Sequence, residues 1–266
     1  MAECEALRSL PANATDSARI LARLDGRILD EPVLPACASL RLESSLPVRS
    51  FFSWPGKRNY EGSWWSSTTC AHVGFESLLE RDFLMLADYD RDVVGIASQP
   101  LAVLWPKGTD SARGHVPDFF LRLRDGGGRV VDVRHPDHLE AGARQFSLTR
   151  ALCDEAGWDY EVFSGMAEPA ASNLRWLSGY RLHRYAPPST IVPALMEAVD
   201  SGVSLSAGVR RASRMLRLEP STVQAHLLHL AFIGVLQVGL DEPLSMEAWI
   251  APAQERSPMP RLAAAS

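Results

Sequence analysis

The sequence predicts an α/β fold, a mixed sheet flanked by helices, plus a smaller C-terminal winged-helix-like helical domain. Three observations predict this. Between Val73 and Phe163 the pattern runs helix, three strands, helix, strand, which combines short antiparallel turns with one parallel crossover. Past Pro187-Pro188 the pattern becomes three helices and a two-stranded ribbon. The chain has 266 residues, 46% of them apolar, which at roughly 150 residues per domain makes about two domains with real cores.

Composition narrows the function classes. No apolar run approaches the ~18 residues of a membrane span. The net charge of −5 gives no global attraction to polyanions, so any nucleic-acid contact must be local. Of 27 basic residues only Lys57 and Lys107 are lysines, an Arg-rich usage that singles out no individual arginine. Cys4, Cys37, Cys70 and Cys153 are widely spaced and form no C-x-x-C pair, which argues against a zinc ribbon or a disulfide framework. The start MAECEALRSL lacks a basic segment followed by an apolar core, so a reducing cytoplasm is the expected location.

Residues 1–46 read as an N-terminal extension with a helix near Asp16–Leu24. The segment 47–70 is dense in aromatics and turn residues and reads as short strands. Phe75, Leu78, Leu79, Phe83 and Leu86 recur at helical spacing, predicting a helix over Val73–Ala87. A β-rich run follows from Val93 to Trp105. Strands are then expected at about 116–124 and Arg129–Arg134, joined by a turn at Asp125–Gly128. A helix over 139–156 should stop at Gly157 and lead into a strand at Tyr160–Phe163. The core is thus expected over 47–186, a winged-helix-like module over 187–252, and a flexible tail over 253–266. In the module, helices are expected at Ile191–Ser201 and Ser206–Leu216, with a third N-capped by Ser221 and running to about Ile233.

Acidic residues on several of these elements form the candidate site. Glu76 and Glu80 fall one turn apart on the first helix, where the bland alternative is a solvated acidic face; Asp82 is a rival carboxylate nearer the apolar stripe. Asp118 sits in HVPDFFLRL at the mouth of an apolar strand. In RVVDVRHPD, period-two alternation puts Asp132 and Arg134 on one face. The hairpin through Asp125–Gly128 would bring Asp118 and Asp132 to the same end of the sheet. Carboxylates from a helix and two strands make a hard oxygen cage suited to Mg²⁺ or Mn²⁺, which can activate water for attack on a phosphodiester.

Through HVGFESLLERDFLMLADYDRDVVGIASQP, HVPDFF, RVVDVRHPD and NLRWLSGYR, the stretch from Pro47 to Tyr185 resembles the TnsA-type endonuclease subunits of heteromeric bacterial transposases. The resemblance implies a restriction-endonuclease-like PD-(D/E)xK core that cleaves DNA at the 5′ ends of a mobile element. Carried over residue by residue, Glu80 matches the helix acid, with Glu76 as the alternative and Gln99 nearby. Asp118 matches the PD aspartate and Asp132 the first member of the last pair. Arg134 stands where the family has lysine. Arg stays protonated and can donate only hydrogen bonds and charge, so His135 and His138 are candidate proton acceptors. A catalytically silent assembly factor bridging transposase, ATPase and DNA is the alternative.

Two surfaces are candidates for partners. WPGKRNYEGSWW places Lys57 and Arg58 at a turn among aromatics, where they can contact DNA phosphates. The third C-terminal helix has no Arg or Lys, only Gln224, His226 and His229 as polar readers, whereas the preceding helix carries Arg210, Arg211, Arg214 and Arg217. The module therefore reads as a protein-docking element. The family resemblance implies an integrase-like transposase and an AAA+ ATPase as partners, beside transposon-end DNA.

Overall fold

The computed structural model describes residues 5–49, 60–109 and 114–253. It is a mixed α/β protein of two compact units, Met1–Ala87 with Asp92–Gly165, and Asp88–Arg91 with Met166–Ser266. Among the described residues no helix is long and apolar enough to cross a membrane.

The first unit is built around a four-stranded sheet. Its strands are β5 (Val93–Ser98), β7 (Phe119–Leu123), β8 (Gly128–Val133) and β9 (Asp159–Phe163), in the order β5-β7-β8-β9. β7 pairs antiparallel with both β5 and β8, and β8 pairs parallel with β9. The β7–β8 turn is tight because Gly126 takes φ +91° and Asp125 Oδ1 accepts from the Gly127 amide at 2.8 Å. The parallel crossover is helix α2 (Leu139–Ala156), ended by Gly157 at φ 75°, the left-handed stop that glycine adopts without a Cβ clash. Strand alternation sends neighbouring phenylalanines to opposite faces: Phe119 stacks on Phe83 of α1 (Leu78–Tyr89), and Phe120 meets Trp158 edge-on.

Several expected boundaries shift. The segment at Asp16–Leu24 is not helical. It is strand β1 (Arg19–Leu24), joined to β2 (Arg27–Pro32) by Asp25-Gly26 with φ +50° and +74°, the conformation of a two-residue hairpin. The run Val93–Trp105 is two strands rather than one. Gln99, at φ +46°, precedes Pro100 and turns the chain out of β5 into β6 (Leu101–Leu104), which pairs with β1 in a second sheet, β2-β1-β6. The N-terminal residues are therefore no appendage. Ile20, Ala22, Val33 and Leu42 share one buried cluster with Val103, Phe120, Val130, Leu152 and Trp158. A hairpin of β3 (Gly62–Ser66) and β4 (Ala71–Phe75) replaces the expected start of the first helix, which begins at Leu78. Trp64 packs inward on it while Trp65 stays 36% exposed.

The second unit contains α3 (Ala170–Leu177), α4 (Val192–Glu197), α5 (Leu205–Leu216), α6 (Pro220–Phe232) and a small sheet of β10 (Val203–Ser204), β12 (Trp249–Pro252) and β11 (Leu236–Val238). Its boundary at Gly165/Met166 falls ahead of the Pro187-Pro188 break because α3 belongs to it by hydrogen bonding. Asn173 Nδ2 donates to the carbonyls of Leu240 and Glu242 at 2.8 and 2.7 Å, and its Oδ1 accepts from the Leu244 amide. Ser204 caps α5. The N-cap of α6 is Glu219, with Pro220 at the first helical position, rather than Ser221; proline's missing donor costs nothing there. The expected tail lies almost wholly outside the described residues.

Candidate functional site: an acidic cleft ringed by arginines

The site residues come from the ends of three elements in the first unit. Phe119 pairs with Val131, so the hairpin register brings Asp118 and Asp132 together at one end of β7 and β8. Asp118 Oδ2 accepts from the Val133 backbone amide at 2.7 Å, and its carbonyl accepts from the Gln99 amide at 2.8 Å. Both bonds fix the aspartate where the strand begins. Burial, together with the charges of Glu80 and Asp132, pushes the Asp118 carboxyl well above the ordinary carboxylate range. The Val133 amide and the Arg134 guanidinium oppose that shift only partly. Asp118 therefore carries the strain of the two neighbouring acids.

Glu80 serves a second purpose. Ser77 Oγ accepts from the Glu80 amide at 3.1 Å, while Glu80 Oε1 accepts from Ser77 Oγ and Oε2 from the Glu76 amide at 2.7 Å. This is a variant of the capping box at the start of α1, with the glutamate reaching the amide one residue ahead of Ser77. Glu80 is also desolvated, and its carboxyl is raised accordingly. Glu76 lies outside the helix, so the two glutamates are not one helical turn apart. Its Oε2 accepts from Arg49 Nη2 at 2.6 Å and from Gln99 Nε2 at 3.1 Å. Gln99 is 2% exposed, and its Oε1 is buried without a hydrogen-bond partner among the described residues.

Asp132 is the most enclosed of the acids, 3% exposed. His115 Nε2 stands 2.8 and 3.0 Å from its two oxygens, and the Tyr160 hydroxyl donates to Oδ2 at 2.5 Å. Burial and the Asp132 charge raise the Tyr160 phenol, which keeps it a donor. Gln145 Nε2, on α2, is 2.6 Å from His115 Nδ1. Donation by that amide leaves Nε2 as the N–H facing Asp132.

Glu80, Asp118, Asp132 and Arg134 line one cleft of about 520 Å³, with Arg8, Ser9, Arg49, His115 and Gln145 among its other walls. Glu76 and Gln99 stand behind it through their bonds to Arg49 and to the Asp118 backbone. Asp82 does not line it and has Arg81 Nη2 at 3.1 Å from Oδ1. His135 and His138 do not line it either; His135 Nδ1 accepts from the Asp137 amide at the exposed strand end. His115 is the imidazole at the cleft. The sequence places it three residues ahead of Asp118, but nothing in that spacing reveals that its ring reaches Asp132.

Among the described residues no three His, Cys, Asp or Glu side chains are gathered into a ready-made metal site. The donor chemistry of the acids nevertheless fits a hard divalent cation. Oδ1 of Asp118 has no hydrogen-bond partner among the described residues, and Asp132 is oriented by a histidine and a tyrosine, the kind of support that ligating carboxylates have. The oxygens of Asp132 and Glu80 are already engaged, those of Asp132 by His115 and Tyr160 and those of Glu80 by the start of α1.

Lys57 and Arg58 lie outside the described residues. In the second unit Arg210, Arg211, Arg214 and Arg217 are exposed on and just beyond α5. His226 and His229 of α6 are turned to backbone, with Nδ1 2.8 Å from the carbonyls of Tyr185 and Tyr180 respectively, which takes them away from any role as base readers.

No protein-family model matches the sequence, and no curated protein is similar to it.

Proposed function

We propose that the chain is a metal-dependent DNA endonuclease subunit of the TnsA-like kind, cutting at the 5′ ends of a mobile element beside a partner transposase. The observation that carries this reading is that Glu80, Asp118 and Asp132 line one cleft at one end of a mixed sheet. Burial and the charges of Glu80 and Asp132 raise the Asp118 carboxyl, an unfavourable arrangement that a bound cation would neutralise. The β5-β7-β8-β9 order between α1 and α2 supports a restriction-endonuclease-like core, and three helices with a β10-β12-β11 sheet support a winged-helix-like module.

In this reading Asp118, Asp132 and Glu80 would hold Mg²⁺ or Mn²⁺. A divalent cation bound there supplies a lowered pKa for water and neutralises charge on the phosphoryl oxygens. The Val133 amide holds the Asp118 carboxylate in place. His115 and Tyr160 orient Asp132. Arg134, exposed at the end of β8, donates to the nonbridging oxygens. Calorimetric titration of Mn²⁺ into the wild type and Asp118→Ala tests the reading. Binding in the wild type that disappears in the variant is expected; equal binding by both overturns it.

A second reading, a catalytically silent assembly factor, draws on the engagement of Glu80 in the helix cap and the Arg at position 134. Nicking of element-end DNA with partner proteins present, abolished in Asp118→Ala, refutes it.

A further inference from the structure

The N-terminal segment forms a wall of the acidic cleft. Leu7 donates its amide to the Val48 carbonyl at 2.7 Å and forms a parallel bridge with Arg49. Leu7 and Leu10 both pack on the buried cluster of Leu21, Val48, Ala102 and Leu104. Two anchored leucines therefore pin the bend between them, Arg8-Ser9, at the cleft. Arg8 is exposed, and among the described residues it has no acidic partner. Arg134, the other exposed arginine lining the cleft without an ion pair, also stands beside the acids. Arg49 differs, being paired with Glu76.

We infer that the Arg8-Ser9 bend is a phosphate clamp for a nucleic-acid strand seated in this cleft, working with Arg134. A guanidinium donates two parallel N–H bonds to a phosphate's nonbridging oxygens, and a hydroxyl such as that of Ser9 adds a third donor. Among the described residues that line the cleft there is no Phe, Tyr or Trp, and the donors they offer suit the backbone of a strand. Two arginines beside a floor of three acids also match what a phosphodiester near a bound cation requires. The donors hold the diester oxygens while the acids hold the ion. This inference rests on the nuclease reading for the identity of the strand, but it concerns binding alone.

The test measures anisotropy of a labelled 20-base-pair duplex with full-length protein and Ca²⁺, from about 50 to 200 mM salt. Because Arg8 is on the surface, Arg8→Ala should melt with the wild type. The variant should bind roughly tenfold more weakly at the lowest salt, and its slope of log affinity against log salt should flatten by about one unit. Arg8→Lys should restore the slope and only part of the affinity. Unchanged affinity and slope in Arg8→Ala, with duplex binding and cleavage intact, overturn the clamp and leave the nuclease reading standing. Wild-type protein that binds no duplex at the lowest salt overturns both. If calorimetry with inorganic phosphate shows Arg8→Ala losing free phosphate but not duplex, the bend is an anion site without a strand, and the clamp is again overturned.

Discussion

His115 Nε2 and Asp132 Oδ1 stand 2.8 Å apart on the side of the sheet that carries Gln145 of α2, whose amide is 2.6 Å from the other ring nitrogen. The imidazole therefore acts through the aspartate, fixing which way its carboxylate faces. Its own two nitrogens are both engaged. His115→Ala should weaken Mn²⁺ binding by about 10–100-fold, the usual cost of losing a support behind a ligand. His115→Asn, which can still donate toward Asp132, should recover part of it. Calorimetry measures both, and unchanged affinity in the alanine variant would show that Tyr160 alone positions Asp132.

Asp118 makes stability at neutral pH worse. Its folded carboxyl titrates above the unfolded value of 3.8 because of burial, then Glu80, then Asp132. The folded state is thus favoured while Asp118 is protonated, and that favour is lost as pH rises through the raised value. Asp118→Asn keeps an acceptor for the Val133 amide and removes the charge. Its melting temperature should exceed that of the wild type at pH 8 in EDTA, by about 2–4 °C for each kcal/mol relieved, and the gap should close toward pH 4. Mg²⁺ should raise the wild-type value and leave the variant unmoved.

Ser77 and Glu80 separate structure from chemistry. Ser77→Ala removes the oxygen that caps α1 and should cost about 1 kcal/mol of stability by urea unfolding, without abolishing divalent-ion binding. Glu80→Gln retains acceptor and donor atoms for the cap but lowers the charge of the cleft. It should melt near the wild type and bind Mn²⁺ more weakly. A Glu80→Gln protein with undiminished affinity would confine Glu80 to capping.

The second unit should weaken in acid. Burial holds the His229 imidazole below its ordinary 6.5, with His183 and His226 adding to the effect and the Tyr180 carbonyl opposing it. The unfolded chain binds this proton more readily, so stability present above about pH 6.5 is lost as pH falls through the folded value. His229→Asn, whose amide can donate to the Tyr180 carbonyl, should show a shallower decline in denaturation midpoint between pH 7.5 and 5. An identical decline would place the acid sensitivity elsewhere.

Local chemistry, readable in the sequence, determined the Asp125–Gly128 turn, the extent of α2 with its stop at Gly157, the antiparallel then parallel pairing around β8, and the meeting of Asp118 with Asp132. Each depends on residues close in the chain, where periodicity, turn residues and strand alternation leave few choices. Tertiary structure decided that Arg19–Leu24 is the middle strand of a sheet, because β6, some eighty residues away, pairs along the edge opposite β2. The late start of α1 at Ser77-x-x-Glu80 is a local signal, whereas tertiary structure also decided that Gln99 divides one apolar run between two sheets, that Arg8 lines the cleft and that the His115 ring reaches Asp132. Those outcomes follow from which surfaces become buried together, and burial joins positions whose separation along the chain carries no period to read.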